Sequence, residues 1–470
     1  MRRNKWLLWV FLLTIVIPAG YVKAQTPTPG DATYVVQAGD SLWGIAQRFR
    51  VSLDELTAIN NITNASQLMV GAELKIPGLP NFSGRLTTLT VPYGENLISL
   101  SRRYGLSAPL LAQLNHLVSP HELVAGSYLV IPEEKAEKGI NRRSFISEGQ
   151  SLLEFAILHQ VNPWQVAVQN QLSDTLRMAP SRLLLLPGEG TGMSALPEQI
   201  KDITVAPLPL LQGKTAVMKM EAEKGMSMSG SFMGRELHFF EDENGLLVTL
   251  LGVHAMTEPG VYPFEIRLST GENVDFTYSQ MVAVGKVDYP YDDPLSVDPE
   301  TIDPAVTEPE SELWASYAQP ITKEKYWQGG FRLPSPLSLD YCLTTNDCWS
   351  SRFGNRRSYN GSTYNTFHSG LDIVGGEGTE IYAPAGGVVV FAGPLTVRGN
   401  ATMIDHGWGV YSGYYHQKEI YVKVGDRVEA GQLIGIVGST GRVEGPHLHW
   451  EIWVNGVQVD PLDWLKQVFP

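Results

Sequence analysis

The rhythm of apolar and polar positions changes several times along this chain, and each change marks a boundary. Trp6 to Ile17 form a largely apolar run, with Arg2, Arg3 and Lys5 before it and Pro18, Gly20 and the small-residue end Val22-Lys23-Ala24 after it. The run is 12 residues long. A membrane-spanning helix needs ~20, so residues 1–24 read as a secretory signal peptide and the protein is expected to be exported.

A repeat follows. Gly39, Gly94 and Gly149 stand 55 residues apart, as do Asn60, Asn115 and Asn170, and Pro77, Pro132 and Pro187. Landmarks kept in register through three copies indicate a repeated unit. In the first copy Tyr34-Val35-Val36 predicts a short strand, and Ser41 caps a helix with apolar positions at Leu42, Ile45, Ala46 and Phe49. A second helix is expected from Ser52 to Asn60-Asn61, and Leu74 to Pro77 closes the unit with a strand. The strand–helix–helix–strand copies occupy 33–78, 88–133 and 143–188.

The period then becomes two. From about Ile203 to Val287, "TAVMKMEAE", "GLLVTLLGVHAM", "VYPFEIRLST" and "NVDFTYSQMVAV" alternate as strands do. Six or seven strands predict an immunoglobulin-like β-sandwich over 200–287. Met218 and Met220 share one face of a strand and belong to its core rather than to a metal site. His238 and His254 have no second ligand at suitable spacing. Residues 288–312 carry nine acidic residues, no Lys or Arg, and five prolines. An extended, self-repelling linker is expected over 288–320, although Tyr289, Tyr291 and Trp314 offer handles for packing. Residues 330–470 are glycine-rich and strand-patterned again.

Composition narrows the function. A chain of 470 residues requires several domains. The net charge of −14 argues against a nucleic-acid binder that works by neutralising phosphates, and no membrane partner is expected beyond the signal segment. Two cysteines exclude a disulfide-dense scaffold. They are Cys342 and Cys348, a disulfide candidate in an exported protein.

Five of the ten histidines lie after residue 360: His368, His406, His416, His447 and His449. His447 and His449 share one face of a strand, about 6.6 Å apart along it. His368 and Asp372 are four apart in "HSGLD", about 13 Å on a straight strand, so the chain must bend between them, as Gly370 permits. Two histidines and a carboxylate make the open ligand set of a catalytic zinc centre. His406 fits a strand-end turn. Glu451 shares the face of His447 and His449, and either supports the metal site or forms a salt bridge.

"YVVQAGDSLWGIAQRF" with "LMVGAELKIP" resembles the LysM module, which binds N-acetylglucosamine glycans. The second copy fits with Asn96 in place of the capping Ser, and the third is degenerate. The resemblance implies glycan contacts near Gly39, Asp40 and Ser41, and at Leu68, Met69, Val70 and Gly71. "HSGLDI", "APAGGVVVFAG", "IDHGWGVYSGYYH", "VKVGDRVEAGQLIGIVGSTG" and "GPHLHWE" resemble the lysostaphin/LytM-type peptidoglycan endopeptidases over most of 330–470. That resemblance implies a mainly antiparallel all-β catalytic domain and one Zn2+ per chain. It makes His368, Asp372 and His449 the metal ligands and His416 and His447 the catalytic pair, with Tyr359 and Tyr364 as candidates for an assisting aromatic. The implied protein is an exported zinc endopeptidase of the cell wall, periplasm or extracellular space that cuts peptidoglycan stems or cross-bridges. The alternative is a non-enzymatic wall-binding protein that activates other hydrolases; such relatives usually lack part of the ligand set, and here all five positions are filled.

Overall fold

The computed structural model describes residues 32–470 except 65–67, 80–81, 83, 120–121, 134–140, 148, 171, 173–182, 190–194 and 270–275. The expected signal peptide therefore lies outside the described residues. No helix among them is long and apolar enough to cross a membrane. The chain forms two compact units, divided between Thr87 and Thr88.

The first unit contains one repeat. Strand Ala32–Val35 pairs antiparallel with Glu73–Lys75, and its first three residues run parallel to Gly84–Leu86. Between the paired strands lie helices Leu42–Phe49 and Leu53–Ile59. The Ser41 hydroxyl accepts from the Gly44 amide at 3.0 Å, and Leu42, Ile45, Ala46 and Phe49 are buried, as their spacing predicts.

The second unit holds the remaining repeats. Helices Leu97–Arg103 and Ala108–Leu114 precede strand Tyr128–Pro132 in one. In the other, strands Asn141–Phe145 and Leu183–Glu189 pair antiparallel around helices Leu152–Leu158 and Pro163–Gln169. Asn96 still caps its helix, accepting from the Ser99 amide at 2.9 Å, so the Ser-to-Asn difference between copies costs nothing at this end. The 55-residue register has a physical cause in one asparagine. Asn60 donates to the Leu56 and Lys75 carbonyls and accepts from the Lys75 amide. Asn115 does the same with Leu111 and Val130, and Asn170 with Val166 and Leu185. Each amide side chain thereby ties the end of the second helix to the closing strand.

Residues 200–285 build two sheets around one core. The first has the order Phe240–Glu241, Leu247–Gly252, Thr215–Ala222, Ile200–Ala206. The second has the order Arg235–Leu237, Ser227–Phe232, Gly260–Ser269, Phe276–Gly285, Leu210–Leu211. Met218 and Met220 are buried in the shared core with Phe264 and Ile266. This layer is fixed to the C-terminal domain. Val248 and Leu250 join the core of Val454, Val457 and Val459, and Lys214 pairs with Asp460 and Asp463 at 2.7 and 3.0 Å.

The acidic segment is not the extended linker its composition predicts. The Leu295 amide donates to the Ser358 carbonyl, and Tyr291 and Leu295 bridge in parallel to Arg356 and Tyr359. Asp303 then caps the helix Pro304–Tyr317, which buries Trp314. The charge finds partners: Glu310 accepts from the Val397 and Arg398 amides and from the Arg398 guanidinium, at 2.8 to 3.0 Å. Self-repulsion loses where carboxylates meet fixed donors on a preformed surface.

The C-terminal domain is one antiparallel sheet along its main path. Its order is Trp349–Ser351, Leu371–Val374, His447–Val454, Val410–Ile420, Gly399–Gly407, Gly387–Leu395, Arg427–Val428. Cys342 and Cys348 form a disulfide just before it.

Candidate metal centre

Strand pairing assembles the site. Asp372 stands directly opposite His449 and Val374 opposite His447, while Tyr415 faces His449 from the other side. His368 lies before the strand Leu371–Val374, held where its amide donates to the Asn355 carbonyl and its carbonyl accepts from the Gly354 amide, both at 2.8 Å. Gly370 makes the approach possible by its size rather than by an unusual backbone. A Cβ there would stand 2.4 Å from the Trp450 carbonyl oxygen and 2.7 Å from His449 Nε2.

Three atoms converge. His368 Nε2 is 2.9 Å from Asp372 Oδ1 and 2.9 Å from His449 Nδ1, which is itself 2.8 Å from Asp372 Oδ1. A tetrahedral ion with bonds of ~2.0 Å has ligand–ligand edges of about 3.3 Å, so a small outward shift admits one metal ion and leaves a fourth position open. These three residues form the one group of side chains able to hold a metal ion among the described residues.

The far atom of each of these three candidate ligands is held as well. His368 Nδ1 lies 2.9 Å from the Arg352 carbonyl oxygen, Arg357 Nη2 donates to Asp372 Oδ2 at 3.0 Å, and His449 Nε2 lies 3.5 Å from Glu451 Oε1. Such outer partners fix tautomer and orientation. Arg357 is paired in turn with Asp292 at 3.0 Å, which also accepts from Ser351 and Asn355. Glu451 is fully buried and accepts from Ser369, Gln458, Trp453 and Trp314. Burial opposes its charge, but the His449 bond and Arg398 prevail and hold the carboxyl at about 2. Glu451 is thus both a support of the site and a charged hydrogen-bond hub. Arg357, Asp292 and Trp314 carry no sequence signal of a role here, since their partners lie up to 137 residues away.

His416 and His447 lie beside the triad with ring centroids 5.0 Å apart. Each turns Nδ1 to a backbone carbonyl, His416 to Thr440 at 2.8 Å and His447 to Gly445 at 2.9 Å, which leaves both Nε2 atoms for other work. His447 Nε2 is 3.5 Å from Asp372 Oδ1. Burial, reinforced by His447 and His449, holds the His416 imidazole well below its ordinary range, so it is neutral. His416 also sits at φ 61°, in the left-handed region beside a register shift in its strand. Such a backbone costs a non-glycine residue ~1–2 kcal/mol and needs support from its surroundings.

The remaining candidates fall elsewhere. His406 is buried between the Gly386 carbonyl and the Ser412 hydroxyl, each at 2.7 Å, within the core. Tyr364 donates to the Asp292 carbonyl, and Tyr359 has the Arg442 guanidinium 4.3 Å above its ring. The aromatic that touches the triad is Tyr415, stacked on His449 at 4.6 Å. In the first repeat Gly39, Ser41, Met69, Val70 and Gly71 are exposed, whereas Asp40 accepts from Tyr34, Gln37 and Arg48 and is a structural hub of its loop.

Comparisons with known proteins match these regions. Residues 366–461 match the model of peptidase family M23, and residues 34–77 and 89–132 match that of the LysM domain. The peptidoglycan DD-endopeptidase ShyC of Vibrio cholerae is 41% identical over 24% of this chain and 26% of its own length. The DD-carboxypeptidase/endopeptidase Mpg of Neisseria meningitidis is 44% identical over 20% and 22%. The chain thus spans about a quarter of the length of the curated relatives it matches. A solved peptidase M23 structure from Pseudomonas aeruginosa is 26% identical over 56% of this chain and 96% of that one, with a TM-score of 0.42.

Proposed function

We propose, for a chain that carries a family M23 peptidase domain behind LysM domains, that it is an exported zinc-dependent endopeptidase. It hydrolyses peptide bonds in peptidoglycan stems or cross-bridges while its LysM modules hold the glycan. The observation that carries this reading is the convergence of His368 Nε2, Asp372 Oδ1 and His449 Nδ1 within 2.9 Å, with the far atom of each ligand held by another group. Two imidazoles and one carboxylate suit zinc with an open fourth position.

A zinc ion held by these three residues would supply a Lewis acid able to polarise the scissile carbonyl and acidify a water. The protein's own residues do the rest. His416, neutral and with Nδ1 fixed on Thr440, presents Nε2 to accept the proton of the attacking water. The proton taken up at His416 Nε2 is the one returned to the leaving amine, while His447, fixed on Gly445, holds its Nε2 at the edge of the triad, 3.5 Å from Asp372 Oδ1, to orient the water. Tyr415 and Glu451 keep the His449 ring in plane and in tautomer.

The order of the two sheets over 200–285 supports an immunoglobulin-like sandwich. Its packing against the catalytic domain makes it a rigid support rather than a reach-setting spacer. The Cys342–Cys348 disulfide supports an oxidising compartment, whether cell wall, periplasm or medium.

The test is incubation of the purified protein with peptidoglycan sacculi, with and without a chelator, followed by zinc restoration. Chelator-sensitive release of new amino groups is expected, with the cleaved bond read by mass spectrometry. Binding without release would favour the non-enzymatic reading instead.

A further inference from the structure

The repeats share a scaffold, but they do not share an exposed surface. In the first, the two loops flanking the paired strands are bare. Met69 is 71% and Val70 68% exposed, and a Cβ added at Gly39 or Gly71 would meet nothing within 4 Å. Most of the positions 55 residues on are closed, although Asn96 stays exposed and Val124 half-buried. Leu123 and Ala125 are buried, and so are Gly94, Glu95 and Gly126. A Cβ at Gly94 would stand 2.8 Å from Ile203, and one at Gly126 2.9 Å from the Pro209 backbone.

What closes them is the sandwich. The Ala125 amide donates to the Met281 carbonyl and the Ala125 carbonyl accepts from the Ala283 amide, both at 2.8 Å, so Ala125 bridges in parallel to Val282. On the other loop, Gln280 accepts from the Gly94 amide at 2.9 Å and donates to the Glu95 carbonyl at 3.0 Å. Tyr93 is buried and reaches the Phe264 carbonyl at 3.1 Å. Strand Phe276–Gly285 lies next to last in its sheet, with Leu210–Leu211 paired only at Val284 and Gly285. Ala125 takes up the neighbouring donors and acceptors, which would otherwise lie bare along the strand.

We infer that the second repeat has given its loop pair to the sandwich and acts as a fixed clasp. Of the two matched modules, glycan contact through this face then falls to the first. The inference rests on the glycan-binding reading above and assigns that role to one of two matched modules. It also gives the second module a different partner, the edge of the chain's own sheet. The first repeat offers the exposed apolar side chains Met69 and Val70 beside the exposed turn residues Gly39, Ser41 and Gly71, a mixture that suits an amide-bearing sugar with apolar faces.

Two measurements on the full chain test it. Sedimentation with insoluble sacculi compares Met69→Asp with Val124→Asp, which alter equivalent positions. Met69→Asp is expected to weaken binding at least tenfold, and Val124→Asp to stay within about twofold of the parent protein. Amide exchange of the free parent protein is expected to be slow at Ala125 and Ala283. Equal weakening by the two substitutions, or open-loop exchange at both amides, would overturn the inference. A parent protein that ignores sacculi would sink the glycan reading itself, with the amide protection still reporting on the clasp.

Discussion

The indole Nε1 of Trp314 donates to Glu451 Oε2 at 3.2 Å, while Oε1 of the same carboxylate lies 3.5 Å from His449 Nε2. A tryptophan from the acidic segment thus stands one residue behind a proposed metal ligand. Trp314→Phe keeps most of the ring and removes the donor. Loss of such outer support typically lowers metal affinity 10–100-fold, and because Trp453, Gln458 and Ser369 remain, about tenfold is expected here. Chelator competition measures it, and an affinity equal to that of the parent protein would refute the link. Trp314→Ala also opens a cavity and is expected to cost ~3–5 kcal/mol in denaturant unfolding.

The five polar residues at the centre divide into two classes. His368→Ala, Asp372→Ala and His449→Ala each remove a converging atom and are expected to leave protein without bound zinc. His416→Ala and His447→Ala leave the triad whole, retain one zinc per chain and lose about 10²–10⁴ in turnover, the usual contribution of a positioned acid or base. Metal analysis beside sacculus digestion reads both. A zinc-free His447→Ala protein would merge the classes.

Much of this centre is legible in the sequence. Strand parity puts His447 and His449 on one face, and the spacing of His368 and Asp372 shows that the chain between them is not a straight strand, although Gly370 serves there by its size. The 55-residue register finds the repeats because each copy needs its own asparagine clasp. What is not legible depends on partners remote in the chain. Composition counts nine carboxylates in 288–312, but not the Arg398 and Arg357 guanidiniums that receive Glu310 and Asp292. Nor does the sequence show that equivalent loops in two repeats face different surroundings, since Gly71 and Gly126 have nearly the same backbone, φ 85° and 87°.

His406 gives a pH signature separate from the metal site. Burial pushes its pKa down to about 4, against 6.5 for the free side chain. Above pH 6.5 the ring is neutral in both states and costs nothing. As pH falls from 6.5 towards 4, the unfolded chain takes up a proton that the folded protein refuses, so stability falls, by roughly 3 kcal/mol over the window. His406→Asn has no proton to take up. It is expected to be less stable at pH 8 and to lose less stability on acidification, as read by denaturant midpoints at pH 8, 6 and 4. Parallel curves for the two proteins would rule the effect out.

Asp292, Arg357 and Asp372 form a chain of carboxylate, guanidinium and carboxylate, with both contacts at 3.0 Å. Arg357 serves both at once because Nη2 donates to Asp372 while the Nε edge of the same planar guanidinium lies in ion-pair contact with Asp292, a double engagement a lysine cannot make. Asp292→Asn weakens the outer pair, and Arg357→Lys weakens both. If the acidic segment acts on Asp372 through Arg357, the double variant is less harmful than the sum of the singles. A coupling of about 1–2 kcal/mol is expected, discounted because Asp292 is partly open to water. Metal affinity must show the coupling as well as stability, since a purely structural pair would move only the second. Additive losses in both would leave the segment attached to the domain but without influence on its metal ligand.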